Sequence, residues 1–144
     1  MAFALGTHAI YSPLSFCKGP QAWLYVLAAR ERQQRGLDEL VLLSAAGHVA
    51  ETTSAAIFWV KDEQLYTPAL ATGCVAGVHR AHLLARASSL GIATHEVLAA
   101  PEELLQAEAV LTANVAGWRW VAQLQEHHYA PEHPAMLTHL LASK

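Results

Sequence analysis

The apolar residues of this chain come in short segments, and Gly, Pro or a charged residue interrupts each of them before it has run far. That punctuation limits the fold more than any other feature. No segment approaches the ~20 consecutive apolar residues a bilayer-spanning helix needs, and there is neither an internal repeat nor a low-complexity linker. What remains is a succession of short elements separated by turns. With 53% hydrophobic and 15% charged residues among 144, those elements can pack into one globular domain spanning residues 1–144. A domain of this size buries roughly two-thirds of its unfolded surface and needs no disulfide or structural metal.

The chain starts extended over residues 7–11, and Ser12-Pro13 turns it. Residues 21–35 have helical spacing at Leu24, Leu27, Ala28 and Glu31, with Pro20 at the first turn and Gly36 at the end. Residues 39–43 read as a buried strand, 45–48 as a hairpin connection into a strand over 49–53, and 55–60 as another strand. After the polar turn Lys61-Asp62-Glu63 comes a short strand over 65–67, closed by Pro68. A glycine-bracketed loop, 72–77, opens onto a helix over 78–90 that Gly91 ends. A strand over 92–98, a short helix over 101–106 and a strand over 109–113 follow, with 118–124 available to pair with the last. Residues 126–134 read as loop, and 135–143 as a final helix packing Met136, Leu137, Leu140 and Leu141. The sum is an α+β domain with a mixed sheet and packed helices.

A net charge of −3 and a pI near 6.3 offer no broad attraction to nucleic acid or anionic lipid, so the expected partners are small molecules or other proteins. Residues 1–5 are apolar but lack the basic flank of a signal peptide, and the expected location is cytoplasmic. Cys17 and Cys74 form no framework and read as free thiols. His127, His128 and His133, beside Glu126 and Glu132, match no zinc spacing and read as solvated loop; His79 and His82 read as helix surface, and no metal is expected. Trp23, Tyr25, Trp118 and Trp120 read as core or interface aromatics.

Two ionisable residues stand apart. Glu51 lies in a strand with apolar neighbours, where burial is costly unless a cation pairs with it. Lys18 precedes a helix in a segment rich in aromatic and apolar groups. Taken alone, an edge-strand Glu and a snorkelling surface Lys would account for both.

Their order along the chain adds more. Lys18, the helix ending in Gly36-Leu37-Asp38-Glu39, the run Gly47-His48-Val49-Ala50-Glu51, then Ile57-Phe58, Thr67-Pro68 and Gly73-Cys74-Val75-Ala76-Gly77-Val78-His79-Arg80 resemble the fold-type-IV pyridoxal-phosphate (PLP) enzymes, the class IV aminotransferases, over residues 12–121. Phe58-Trp59, Tyr66-Thr67-Pro68 and the run from Glu103 to Glu108 look most like the aminodeoxychorismate lyase branch. Transaminases of branched-chain or D-amino acids share much of the pattern.

The resemblance implies the larger, C-terminal domain of the D-amino acid aminotransferase-like architecture, and PLP as cofactor. Lys18 would carry it as a Schiff base and, once freed by an amino substrate, shuttle the α-proton. Glu51 would hydrogen-bond the pyridine nitrogen and keep the ring an electron sink. Gly77, with the amides of Val78 and His79 at a helix start, would hold the phosphate. Thr112 or Asn114, Asn114 for preference, would add a second phosphate contact; turn formation is the alternative for both.

The implied reaction is elimination of pyruvate from 4-amino-4-deoxychorismate to give 4-aminobenzoate for folate synthesis, with transamination as the alternative. Some positions depart from the family pattern: Ala56 stands in place of Asn, Ala113 and Trp120-Val121 differ in a loop, and Gly19-Pro20 follows the lysine. Only 17 residues precede Lys18, so the family's N-terminal domain, a source of phosphate and substrate contacts, is expected to be absent. An apolar face would then be left for a homodimer, another oligomer or a partner chain to cover. A non-catalytic half-domain acting through protein contacts is the reading from another class.

Overall fold

The structure is a computed structural model describing residues 1–17, 19, 22–132 and 134–142. Expectations placed on Pro20, Gln21, His133 and Ser143 lie outside these residues. In chain order the elements are β1 (Ala2–Ala9), α1 (Ala22–Gln34), β2 (Leu40–Ser44), β3 (Val49–Thr52), β4 (Ala56–Lys61), β5 (Gln64–Pro68), a 3-10 turn (Leu70–Thr72), α2 (Val78–Ser89), β6 (Thr94–Val97), α3 (Pro101–Leu105), β7 (Ala109–Asn114), β8 (Gly117–Trp120), β9 (Gln123–Leu124), β10 (His127–His128) and α4 (Ala135–Leu141). They build a three-stranded sheet in the order β1-β2-β3, a five-stranded sheet in the order β6-β5-β4-β7-β8, and a two-stranded ribbon of β9 and β10. The β1–β2 and β5–β6 pairs are parallel and the rest antiparallel, which makes both larger sheets mixed.

Alternation along the strands explains the layers, since successive side chains leave a strand on opposite faces. In β2, Leu40 and Leu42 pack with Ala28 of α1, whereas Val41 joins Phe3, Val49, Ile57, Trp59 and Val110 between the two sheets. In β4, Ile57 and Trp59 enter that central layer, while Phe58 and Val60 face Leu83, Leu137 and Leu140 of α2 and α4. A helix, two sheets and a pair of helices therefore stack in succession. The central strands are buried on both faces, which is why they read as continuous apolar runs.

The first strand starts at Ala2, earlier than residue 7, because Ala2 and Phe3 pair with Leu40 and Val41 before the register shifts and resumes at His8. In the shifted stretch the amides of Leu5 and Gly6 donate to the Glu31 carboxylate at 2.9 and 3.4 Å. The inner face of α1 also differs from the expected one. Tyr25 and Ala28 face the sheet, while Leu27 is 56% and Trp23 75% exposed. Apolar residues lie on both sides of this helix, so periodicity alone does not select the buried one. Of the expected 118–124 segment only residues 118–120 pair with β7, together with Gly117; beyond them, Leu124 and Gln123 pair with His127 and His128, which turns part of the expected terminal loop into a short ribbon.

Candidate cofactor site

Glu51 is placed by register. It stands opposite Leu42, and cross-strand partners share a face, so its side chain leaves the sheet on the side of α1. It is 5% exposed. The Tyr25 hydroxyl donates to Oε1, and the Val75 amide donates to Oε2 at 3.3 Å. Two of the groups that hold this carboxylate are thus neutral donors. Burial first, and the Glu51 charge second, push the Tyr25 phenol far above its ordinary pKa, so at neutral pH it acts as a donor and not a base.

The start of α2 is the second component. Gly77 is its N-cap with no side-chain capping bond, and the first turn reads Val78-His79-Arg80, without an acidic residue. The first amides of a helix have no acceptor within it, and Gly77, Val78 and His79 line a cavity, the setting of anion-binding helix starts. Gly77 has an ordinary φ of −64, and a Cβ built on it would meet no described atom within 4 Å. Backbone conformation therefore does not require glycine here; room beside the amides does. Arg80, 5% exposed, donates from Nη2 to the Pro68 carbonyl at 2.8 Å and to Glu96 Oε2 at 2.6 Å, tying the helix start to the ends of β5 and β6.

Asn114 closes the third side at the end of β7. Its Oδ1 accepts from the Ala116 amide at 2.9 Å, and its Nδ2 donates to the Ser54 carbonyl at 3.2 Å. It therefore forms the turn, as the alternative reading has it, and retains one amide proton to offer a ligand.

Tyr25, Glu51, Val75, Gly77, Val78, His79, Arg80 and Asn114 line one cavity of about 190 Å³. Five of the residues singled out in the sequence, Glu51, Gly77, Val78, His79 and Asn114, are among them. Thr112 is not. It lines an adjoining groove of about 470 Å³ with Arg119, because two residues back along β7 amounts to roughly 7 Å from the strand end. Lys18 lies outside the described residues. Ala56 and Ala113, two positions that depart from the family pattern, are direct cross-strand partners and both line the cavity, so its floor is apolar there. A carboxylate, the amides of a helix start and room for close approach fit a flat heteroaromatic ring that bears a basic nitrogen and a phosphate.

Sequence reasoning read Tyr25 as a core or interface aromatic, without the contact to Glu51, and gave Arg80 no role. The register Leu42–Glu51 that brings Tyr25 to the carboxylate is not written locally. For Arg80 a signal was available: a basic residue in a first turn that has no acid to offset it.

Residues 6–124 match the model of the family described as amino-transferase class IV. The chain belongs to this family. Among curated class IV relatives, the aminodeoxychorismate lyase of Vibrio harveyi is 38% identical over 89 residues, which is 62% of this chain and 33% of that one. A probable branched-chain-amino-acid aminotransferase of Thermotoga maritima is 35% identical over 101 residues, 69% of this chain and 37% of that one. The fold-type-IV architecture is shared with the branched-chain aminotransferase of Thermoproteus uzoniensis, at a TM-score of 0.87 and 24% identity over 96% of this chain and 48% of that one. The chain thus spans about a third of the length of these curated relatives and about half of that solved chain.

Proposed function

We propose that this chain forms the PLP-binding part of a class IV enzyme of the aminodeoxychorismate lyase branch, which releases pyruvate from 4-amino-4-deoxychorismate and leaves 4-aminobenzoate. The observation that carries the reading is the convergence of the Glu51 carboxylate and the amides at the start of α2 on one cavity. When bound, PLP supplies the sink for the electron pair left by the departing α-proton. Glu51 keeps a proton on the pyridine nitrogen, and Tyr25 and the Val75 amide hold its oxygens in place. The amides of Val78 and His79, with Gly77 leaving room, take the phosphate; Asn114, which lines the same cavity, adds its remaining proton in preference to Thr112. Lys18 tethers the cofactor covalently and moves the α-proton. The 38% identity to the Vibrio harveyi lyase supports the branch.

A transaminase of branched-chain amino acids is the second reading, favoured by the longer match to the Thermotoga maritima relative. Eight large apolar side chains between Leu5 and Leu27 are more than half exposed, which supports a further copy or a partner chain covering that face; light scattering on the purified chain tests this. Adding PLP and recording the visible spectrum tests the cofactor reading. The expected result is a band lost in Lys18→Ala and shifted in Glu51→Gln; no band, or one indifferent to Lys18, overturns it. Pyruvate release without an added 2-oxo acid separates lyase from transaminase.

A further inference from the structure

We propose that Arg80 sets both the positive potential and the orientation of the phosphate cradle at the start of α2, an inference that rests on reading the cavity as a cofactor site. A guanidinium withdrawn from water to 5% exposure needs compensation, because desolvation penalises the charged form and arginine does not deprotonate. The compensation on hand is incomplete. Nη2 reaches a carbonyl and Glu96, but the Glu96 side chain is 49% exposed, where water screens its charge. Arg80 Nε is buried with no hydrogen-bond partner among the described residues.

The position of the charge is the second oddity. A helix start already carries a partial positive charge and favours acidic side chains, yet this first turn has none and holds a buried cation instead. Two positive sources, both at the wall of one cavity, make that wall favourable to an anion. A dianionic phosphate there offsets both. Arg80 Nη2 also fastens the first turn of α2 to Pro68 at the end of β5 and to Glu96 on β6, which constrains the direction in which the Val78 and His79 amides point. Arg80 is therefore a positioning residue that acts on the phosphate through the helix start and through its field.

The test compares PLP with pyridoxal, the same ring without its phosphate. Each is titrated into the wild-type chain and into Arg80→Gln and Arg80→Lys, with affinity read from tryptophan quenching and folding from circular dichroism. The expected result in Arg80→Gln is a fall of about tenfold in the preference for PLP over pyridoxal, on the scale of one charge-assisted hydrogen bond, with pyridoxal affinity nearly unchanged. Arg80→Lys keeps the charge without the planar, longer guanidinium and should lie between; it carries the test if Arg80→Gln does not fold. A preference equal to wild type in the variants that fold, or a parallel loss of both ligands, overturns the role. Wild-type chain that binds neither ligand removes the cofactor reading itself, and the role of Arg80 with it.

Discussion

The Tyr25 hydroxyl donates to Oε1 of Glu51, so a helix that packs on one face of the three-stranded sheet fixes a carboxylate carried by the edge strand β3. The bond joins packing to chemistry: Tyr25 also covers the outer face of β2 with Ala28, and its hydroxyl presents Glu51 to the cavity. Tyr25→Phe keeps the packing and removes the donor. It should cost about 1 kcal/mol in urea unfolding, the scale of one partly exposed hydrogen bond, and shift the visible spectrum of bound PLP because Glu51 Oε1 then lacks the donor that orients it. A spectrum identical to wild type rejects this role.

The same phenol gives a pH dependence with a definite sign. Burial and the Glu51 charge raise its pKa in the folded chain, while in the unfolded chain it stays near 10. Its contribution is complete below pH ~10 and is lost above it, because only the unfolded chain then releases the proton. Tyr129, raised by burial and donating to the Leu104 carbonyl at 2.7 Å, acts in the same direction. Melting temperature should fall between about pH 10 and 11, less steeply in Tyr25→Phe and least in the double variant with Tyr129→Phe. Equal slopes in all three chains would exclude this linkage.

How much of this could be read from the sequence depended on the range of the interaction. Strands β2 and β4 are legible because burial on both faces leaves nearly continuous apolar runs, and α2 because Gly77 and Gly91 bracket it. The convergence of Glu51, Gly77, Val78, His79 and Asn114 was legible through the resemblance, since nothing local joins β3 to the starts of α2 and the β7–β8 turn. The buried side of α1 was not legible, because Trp23, Val26 and Leu27 are as apolar as the residues that face the sheet. Nor was the separation of Thr112 from Asn114, which depends on where the strand ends rather than on residue type.

Glu31 illustrates a role that neither charge nor periodicity announces. It accepts from the Leu5 and Gly6 amides where β1 leaves its ladder, and from Arg35 Nη1 at 2.6 Å. Burial alone would raise its pKa, but these donors outweigh burial and hold it below the ordinary carboxylate value. Its stabilisation is present above the unfolded-state pKa and is lost as pH falls through the lower folded value. Glu31→Gln should cost about 1–2 kcal/mol at pH 7 and progressively less as the pH falls through the lowered folded value, below which both wild type and variant are neutral at this site. A cost independent of pH would show that the charge contributes nothing.

Gly73 is required by the fold. Its φ is +89, and a Cβ there would lie 2.7 Å from the Ile10 carbonyl carbon and 2.8 Å from the Tyr11 nitrogen, backbone atoms that cannot turn aside. Gly73→Ala should destabilise by about 2–4 kcal/mol, strain and clash together, in denaturant unfolding. A loss under about 0.5 kcal/mol, within the range of an ordinary surface change, would mean the loop and β1 part freely.

Gly77, four residues on in the same loop, should respond in the opposite way. Its φ of −64 suits any residue, and a Cβ there meets open space, so alanine narrows the unfolded ensemble without straining the folded one. Gly77→Ala should leave stability unchanged or raise it by about 0.4–1 kcal/mol. The methyl group would nevertheless stand beside the amides of Val78 and His79, where a phosphate must approach within hydrogen-bond reach. PLP affinity should therefore fall at least about tenfold, the equivalent of one lost charge-assisted contact, while pyridoxal binding changes little. A variant both more stable and worse at holding the phosphorylated ligand separates a glycine kept for the ligand from one kept for the chain. Stability and affinity falling together would instead give Gly77 the same structural role as Gly73.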